Sequence, residues 1–125
     1  MTEPPAQGGG RTSAAYGEAV RNTLRDLLDF GAMAQRLVAR GKDAYDHEET
    51  LRLAGEAILH RIGEAVARLP ATFTVDHPAV EWRTMKATRI VVAHRYGRID
   101  HEMLWSGLAG RLPETTRYVQ GLLDE

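Results

Sequence analysis

From Val20 onward, apolar residues return at steps of three and four along most of the chain. Val20, Leu24, Leu27, Leu28, Gly31, Ala34, Leu37 and Val38 form one such stripe, the pattern of an amphipathic helix with one buried face. Thr12 or Ser13 can cap its start, and Gly41 after Arg40 suits its end. Asp46 with Glu49 has capping-box spacing and predicts a second helix running to Pro70. Its stripe is Leu51, Ala54, Ala57, Ile58, Ile62, Ala65, Val66 and Leu69. Within it the triplet Gly-Glu-Ala recurs after eight residues, at Gly55 and Gly63. A glycine inside a helix costs up to ~1 kcal/mol against alanine, so these positions predict close approach by another element.

The stretch TFTVDHP is the one locally β-like segment and reads as a connecting loop. A third helix is expected over roughly 79–96, with Asp76 or His77 near its start and Gly97 beyond its end. Asp100 can cap a fourth, to about Ala109. After Gly110 and Pro113 a short terminal helix carries Tyr118, Val119, Leu122 and Leu123. The fold class that follows is all-α, an antiparallel helical bundle of four to five helices. Residues 1–12 hold two prolines, three glycines and no apolar stripe, so a disordered tail is expected ahead of one domain over 13–125.

At 125 residues the chain can bury a core without disulfide or metal support, and it has no cysteine, so thiolate chemistry is excluded. Neither a signal peptide nor a membrane-length apolar run is legible, which points to a cytoplasmic protein with no membrane partner. Net charge is −1, yet Arg83, Lys86, Arg89, Arg95 and Arg98 fall in a window without a carboxylate. Such a basic window suits phosphate or RNA, and equally a solvated helix face. His47, His60, His77 and His101 lack the spacing of a metal site, and the carboxylates Glu56 and Glu64 lack the histidine motif of a di-metal bundle. No metal or cofactor is expected, and no phosphate-binding glycine loop is present. Trp82 and Trp105 read as packing anchors.

The stretch TRIVVAHRYGRID concentrates the chemistry. Arg89 and Tyr96, seven residues apart, share a helix face, while His94 lies about 140° round from Arg89. Histidine moves protons near neutral pH, and the guanidinium fork of arginine matches two phosphate oxygens. In RNA the 2′-hydroxyl supplies the nucleophile, so this set suits phosphoryl transfer at an RNA backbone. Tyr96 can bond the phosphate, stack on a base or accept a modification.

In order and spacing, Pro78, Val80, Trp82, Arg83, Arg89, His94, Tyr96, Asp100 and Trp105 resemble the signature of HepT-like toxins, ribonuclease relatives in the HEPN superfamily. Upstream, Ile62 to Ala65 and Leu69-Pro70 are similar to the family's Ile-Gly-Glu-Ala helix and its Leu-Pro close. The resemblance implies a homodimer whose Arg-x4-His motifs line an interface cleft. It implies metal-independent RNA cleavage, with His94 as acid/base and Arg89 on the phosphate. The basic window adds Arg83, Lys86, Arg95 and Arg98 as RNA contacts, and Glu64 and Asp100 read as support for the motif, Glu64 through a buried hydrogen bond or ion pair. The resemblance further implies a partner, an MntA-type nucleotidyltransferase antitoxin that transfers AMP to Tyr96. Ile90 departs from the family pattern, which places a polar residue after the arginine, and Gly97-Arg98 replaces an aromatic turn. A second reading therefore stands beside the first: a catalytically silent helical module that binds nucleotide or protein in the same cleft.

Overall fold

The computed structural model describes residues 16–94 and 100–125, the side chains of 89–94 excepted. The described part is all-helical. Its elements are α1 (Glu18–Val38), α2 (Lys42–His47), α3 (Glu49–Ala67), α4 (Ala71–Asp76), α5 (Trp82–His94), α6 (His101–Ser106), a π-helical turn (Gly107–Arg111) and α7 (Leu112–Leu123). Four long rods thus form the bundle: α1, α3, α5, and the run from α6 through the π turn to α7. None of the described helices is long and apolar enough to cross a membrane.

The apolar stripe of α1 becomes a buried face of Val20, Leu24, Leu27, Gly31, Ala34 and Leu37. That face packs on α3 and α7. Leu28 and Val38 lie at its half-buried margin. Each fully buried large aliphatic side chain stabilises the fold by about 1.5–3 kcal/mol relative to exposure. The start of α1 differs from expectation. Gly17, at φ 87°, precedes its first residue, while the expected caps Thr12 and Ser13 and the tail over 1–12 lie outside the described residues. The α1 end is as expected: Gly41 takes φ 95° and donates its N–H to the Val38 carbonyl at 2.9 Å. Only glycine holds that left-handed backbone cheaply.

Three local readings change. Asp46 does not open α3; it lies inside α2, where its carboxylate pairs with Lys42 at 2.9 Å. Glu48 occupies the capping position of α3 without a side-chain cap. On α3 the buried face is Gly55, Ile58, Leu59, Ile62, Gly63, Ala65 and Val66, so Ala57, assigned to the stripe, is exposed and Leu59 takes its place. The β-like segment forms α4, because Phe73 is fully buried against Tyr16 and Trp82 and that burial outweighs local propensity. The motif helix accordingly begins at Trp82, with Asp76 closing α4 rather than heading α5.

The α6–α7 rod shows the largest departure. Gly110 and Pro113 were expected to separate two helices, yet helix continues from His101 to Leu123. The π turn explains this. Leu112 donates its N–H to the Gly107 carbonyl, five residues back, and the turn leads directly into Pro113 near the start of α7. A widened turn relieves the clash between the proline ring and the preceding carbonyls. It also keeps Leu104, Leu108 and Leu112 on the buried side, where four-residue steps would overshoot an ideal 3.6-residue turn.

The glycine reading holds at Gly55. A Cβ on Gly55 would come within 3.0 Å of Leu108 and 3.4 Å of Tyr45, so α2 and the π turn both close on α3 there. Gly63 is buried.

The candidate active site

α5 is braced before it reaches the motif. Trp82 and Met85 are buried one turn apart, and the Trp82 indole N–H donates to the His77 carbonyl at 2.8 Å. His77 is itself buried, its Nδ1 2.7 Å from the Tyr118 hydroxyl, in an aromatic group with Phe73. The Thr88 hydroxyl lies 3.1 Å from the Leu59 carbonyl on α3 and 2.7 Å from the Met85 carbonyl. Trp82 therefore serves as the core anchor expected of it, and Trp105 packs half-buried beside Tyr45, ring centroids 5.0 Å apart.

The direction of α5 follows from its neighbours. α4 follows the end of α3 across Pro70, and Phe73 of α4 contacts Trp82 at the start of α5. α5 hence runs antiparallel to α3 along their shared contact. Its last turns, with Arg89 and His94, travel back toward the start of α3.

Arg89 and His94 both lie on the α5 backbone, in its final two turns, and their side chains lie outside the described set. Arg95, Tyr96 and Arg98 lie outside the described residues altogether. Arg83 and Lys86 are exposed on α5, open to an anionic ligand. Asp100 caps α6 as expected, its carboxylate accepting from the Met103 N–H at 3.0 Å. Glu64 is exposed on α3, so a buried bond from it to the motif helix is not what the fold builds.

Where the last turns of α5 point, the structure assembles a group that local sequence pattern does not signal. His101 Nε2 lies 3.0 Å from a carboxylate oxygen of Glu56, with the two side chains about one-third and one-fifth exposed. The Tyr45 hydroxyl donates to the His101 carbonyl at 3.2 Å. Burial, then the Glu56 charge, pushes the Tyr45 phenol up to about 12. Lys42 joins Glu102 at 2.7 Å, and that bond is the first cause of its raised pKa. The residues of this group are up to 60 positions apart, so only the fold brings them together.

Among the described residues, two depressions border α5. One, of about 240 Å³, is mainly apolar and is walled by Leu59, Ile62, Met85, Thr88, Leu104 and Leu112. The other, of about 400 Å³, is more polar, with Glu81, Ser106, Arg111, Glu114, Thr115 and Tyr118 around it. Among the described residues no three His, Asp or Glu side chains converge as a metal site requires.

Comparison with known proteins adds an independent line. A family model described as "Ribonuclease HepT-like" matches residues 18–122. Among curated proteins, "Putative RNase MJ0127" of Methanocaldococcus jannaschii is 30% identical over 67 residues, 54% of this chain and 55% of that protein. "Putative RNase TTE0752" of Caldanaerobacter subterraneus subsp. tengcongensis is 30% identical over 67 residues, 54% of this chain and 60% of that protein. The match thus spans a little over half the length of these relatives. No solved structure matches the chain significantly.

Proposed function

The chain belongs to the HepT-like ribonuclease family, and from that premise we propose that it is a ribonuclease toxin that cleaves RNA through Arg89 and His94. The observation that carries the reading is the unbroken course of α5 from buried Trp82 to His94. It puts a basic helix, with Arg83 and Lys86 exposed, directly ahead of the Arg-x4-His-x-Tyr stretch. Arg89 grips two phosphate oxygens and the charge that grows on them in the transition state. His94 takes the proton of the 2′-hydroxyl. Two copies pair so that their motifs face one cleft, and Arg83, Lys86, Arg95 and Arg98 hold the RNA backbone. The nucleophile is the RNA's own hydroxyl, so the reaction needs no metal. A nucleotidyltransferase antitoxin silences the enzyme in the cytoplasm by attaching AMP to Tyr96. A bulky anion beside Arg89 competes for the guanidinium and fills the site.

The test compares wild type with Arg89→Ala and His94→Ala on RNA in the presence of a metal chelator. Wild type cleaves and both variants lose at least 100-fold in rate. Cleavage that persists in either variant removes that residue's role, and RNA left intact by the wild type removes the ribonuclease reading. Tight nucleotide binding without cleavage would instead favour a silent module, the outcome that Ile90 beside the arginine makes worth measuring. For the regulatory part, intact mass after co-expression with the partner rises by one or more AMP units, and Tyr96→Phe abolishes the increase.

A further inference from the structure

Cleavage of RNA by its 2′-hydroxyl needs two proton transfers, one from the nucleophile and one to the departing 5′-oxygen, and His94 accounts for the first. The Glu56–His101 pair has the build of the second group. Glu56 Oε2 sits 3.0 Å from Nε2 of His101, and the carboxylate is less than one-fifth exposed. A carboxylate in that position fixes the ring through Nε2 and leaves Nδ1 to deliver a proton. The ring is about one-third exposed, so a substrate can reach it. Its backbone is pinned as well, by the Tyr45 hydroxyl on its carbonyl and by the Asp100 cap that starts α6.

Position along the bundle links the pair to the motif. Thr88 on α5 meets Leu59 on α3. Because the helices are antiparallel, three residues back from Leu59 is level with three residues on from Thr88. Glu56 therefore stands level with Val91, between Arg89 and His94 on the α5 backbone. The described charged and titratable groups at this end are Lys42, Asp43, Tyr45, Asp46 and His47 on α2, Arg40 and Glu48 beside it, Glu49, Arg52 and Glu56 on α3, and Asp100 and Glu102 at the start of α6. Arg52 is held by the Tyr45 and Asp46 carbonyls and Lys42 by Asp46 and Glu102, which leaves Glu56 as the described carboxylate bonded to the ring.

We propose that His101, oriented by Glu56, is the general acid of the cleavage reaction; this rests on the ribonuclease reading above. The 2′-oxygen bonds to phosphorus as His94 takes its proton. The bond from phosphorus to the 5′-oxygen breaks, and that oxygen receives the Nδ1 proton of His101. The products are a 2′,3′-cyclic phosphate and a free 5′-hydroxyl.

The experiment compares wild type, His101→Gln and His94→Ala on ordinary RNA and on RNA whose 5′-bridging oxygen at the cleavage site is sulfur. A thiolate leaves without a proton, so only a general-acid defect is relieved by that change. On ordinary RNA, His101→Gln lowers kcat about 10²–10⁴-fold with KM unchanged. It also loses the limb of the pH–rate profile that falls at high pH. On the sulfur substrate its rate returns to that of wild type, while His94→Ala stays impaired on both. Thermal unfolding checks that His101→Gln is folded; if it is not, Glu56→Gln serves, with a lower kcat on ordinary RNA that recovers on the sulfur substrate. Wild-type rates for His101→Gln on ordinary RNA, or equal impairment of the tested variant on both substrates, overturns the proposal. Activity retained by His94→Ala overturns the base assignment instead, and wild type inert on both substrates removes the ribonuclease reading.

Discussion

Gly31 is a residue whose value lies in what is absent from it. A Cβ there would come within 2.8 Å of the Thr116 methyl carbon, where α1 meets α7. Alanine favours helix by up to ~1 kcal/mol, but overpacking costs about 1–3 kcal/mol, and a β-branched neighbour inside a helix cannot swing away cheaply. Gly31→Ala is expected to lower stability by about 1 kcal/mol or more, read from the urea midpoint. Adding Thr116→Ala should recover most of that loss. Tyr45 offers a second residue-level test. Its phenol is raised from 10.0 to about 12, so the folded state retains a proton that the unfolded chain releases. The resulting stability is intact below about pH 10 and is lost as pH rises toward about 12. Unfolding midpoints across that window should fall for wild type and fall less steeply for Tyr45→Phe. At this scale the sequence exposes Gly31 as one position of an apolar stripe, but Thr116 is 85 residues distant and no periodicity pairs them.

Among elements, the long helices and the start of the Asp100-capped α6 were legible, and α2 and α4 were not. α1 and α3 have enough turns for a 3.6-residue period to stand out, whereas α2 and α4, six residues each, show less than two turns of pattern. α4 exists because Phe73 is drawn into the core, a tertiary effect that overrides its β-branched neighbours. The same holds for the rod from α6 to α7. Glycine and proline normally punctuate helices, and here a π turn absorbs both. Gly110 is exposed and a Cβ on it would meet nothing within 4 Å. Gly110→Ala should therefore be tolerated, raising stability by up to ~1 kcal/mol, and differential scanning calorimetry would show an unchanged or higher Tm. A large loss would mean that the turn itself needs glycine.

For the whole molecule, the charge pattern gives the prediction. Arg83 and Lys86 are exposed on the helix that leads to the motif, and the RNA contact proposed for them would act through phosphate charge. Arg83→Ala with Lys86→Ala should weaken RNA binding across sequences alike and reduce the salt dependence of the affinity by up to about one unit per contact. Binding measured at several salt concentrations checks this, and an unchanged slope would place the RNA elsewhere.

By itself the sequence determined the all-α class, the face of α1, most of the face of α3, the Asp100 cap and the place of Arg89 and His94 on one helix. These depend on contacts within a few residues, and helical periodicity reports such contacts directly. The tertiary structure decided that α4 is helical, that α6 and α7 form one rod, that Glu64 faces outward, and that Glu56 meets His101. Each depends on residues far apart in the chain but close in space, where burial and charge pairing outweigh local preference. The Glu56–His101 pair is the clearest case: both residues are visible in the sequence, and only the packing of α6 on α3 puts them 3.0 Å apart.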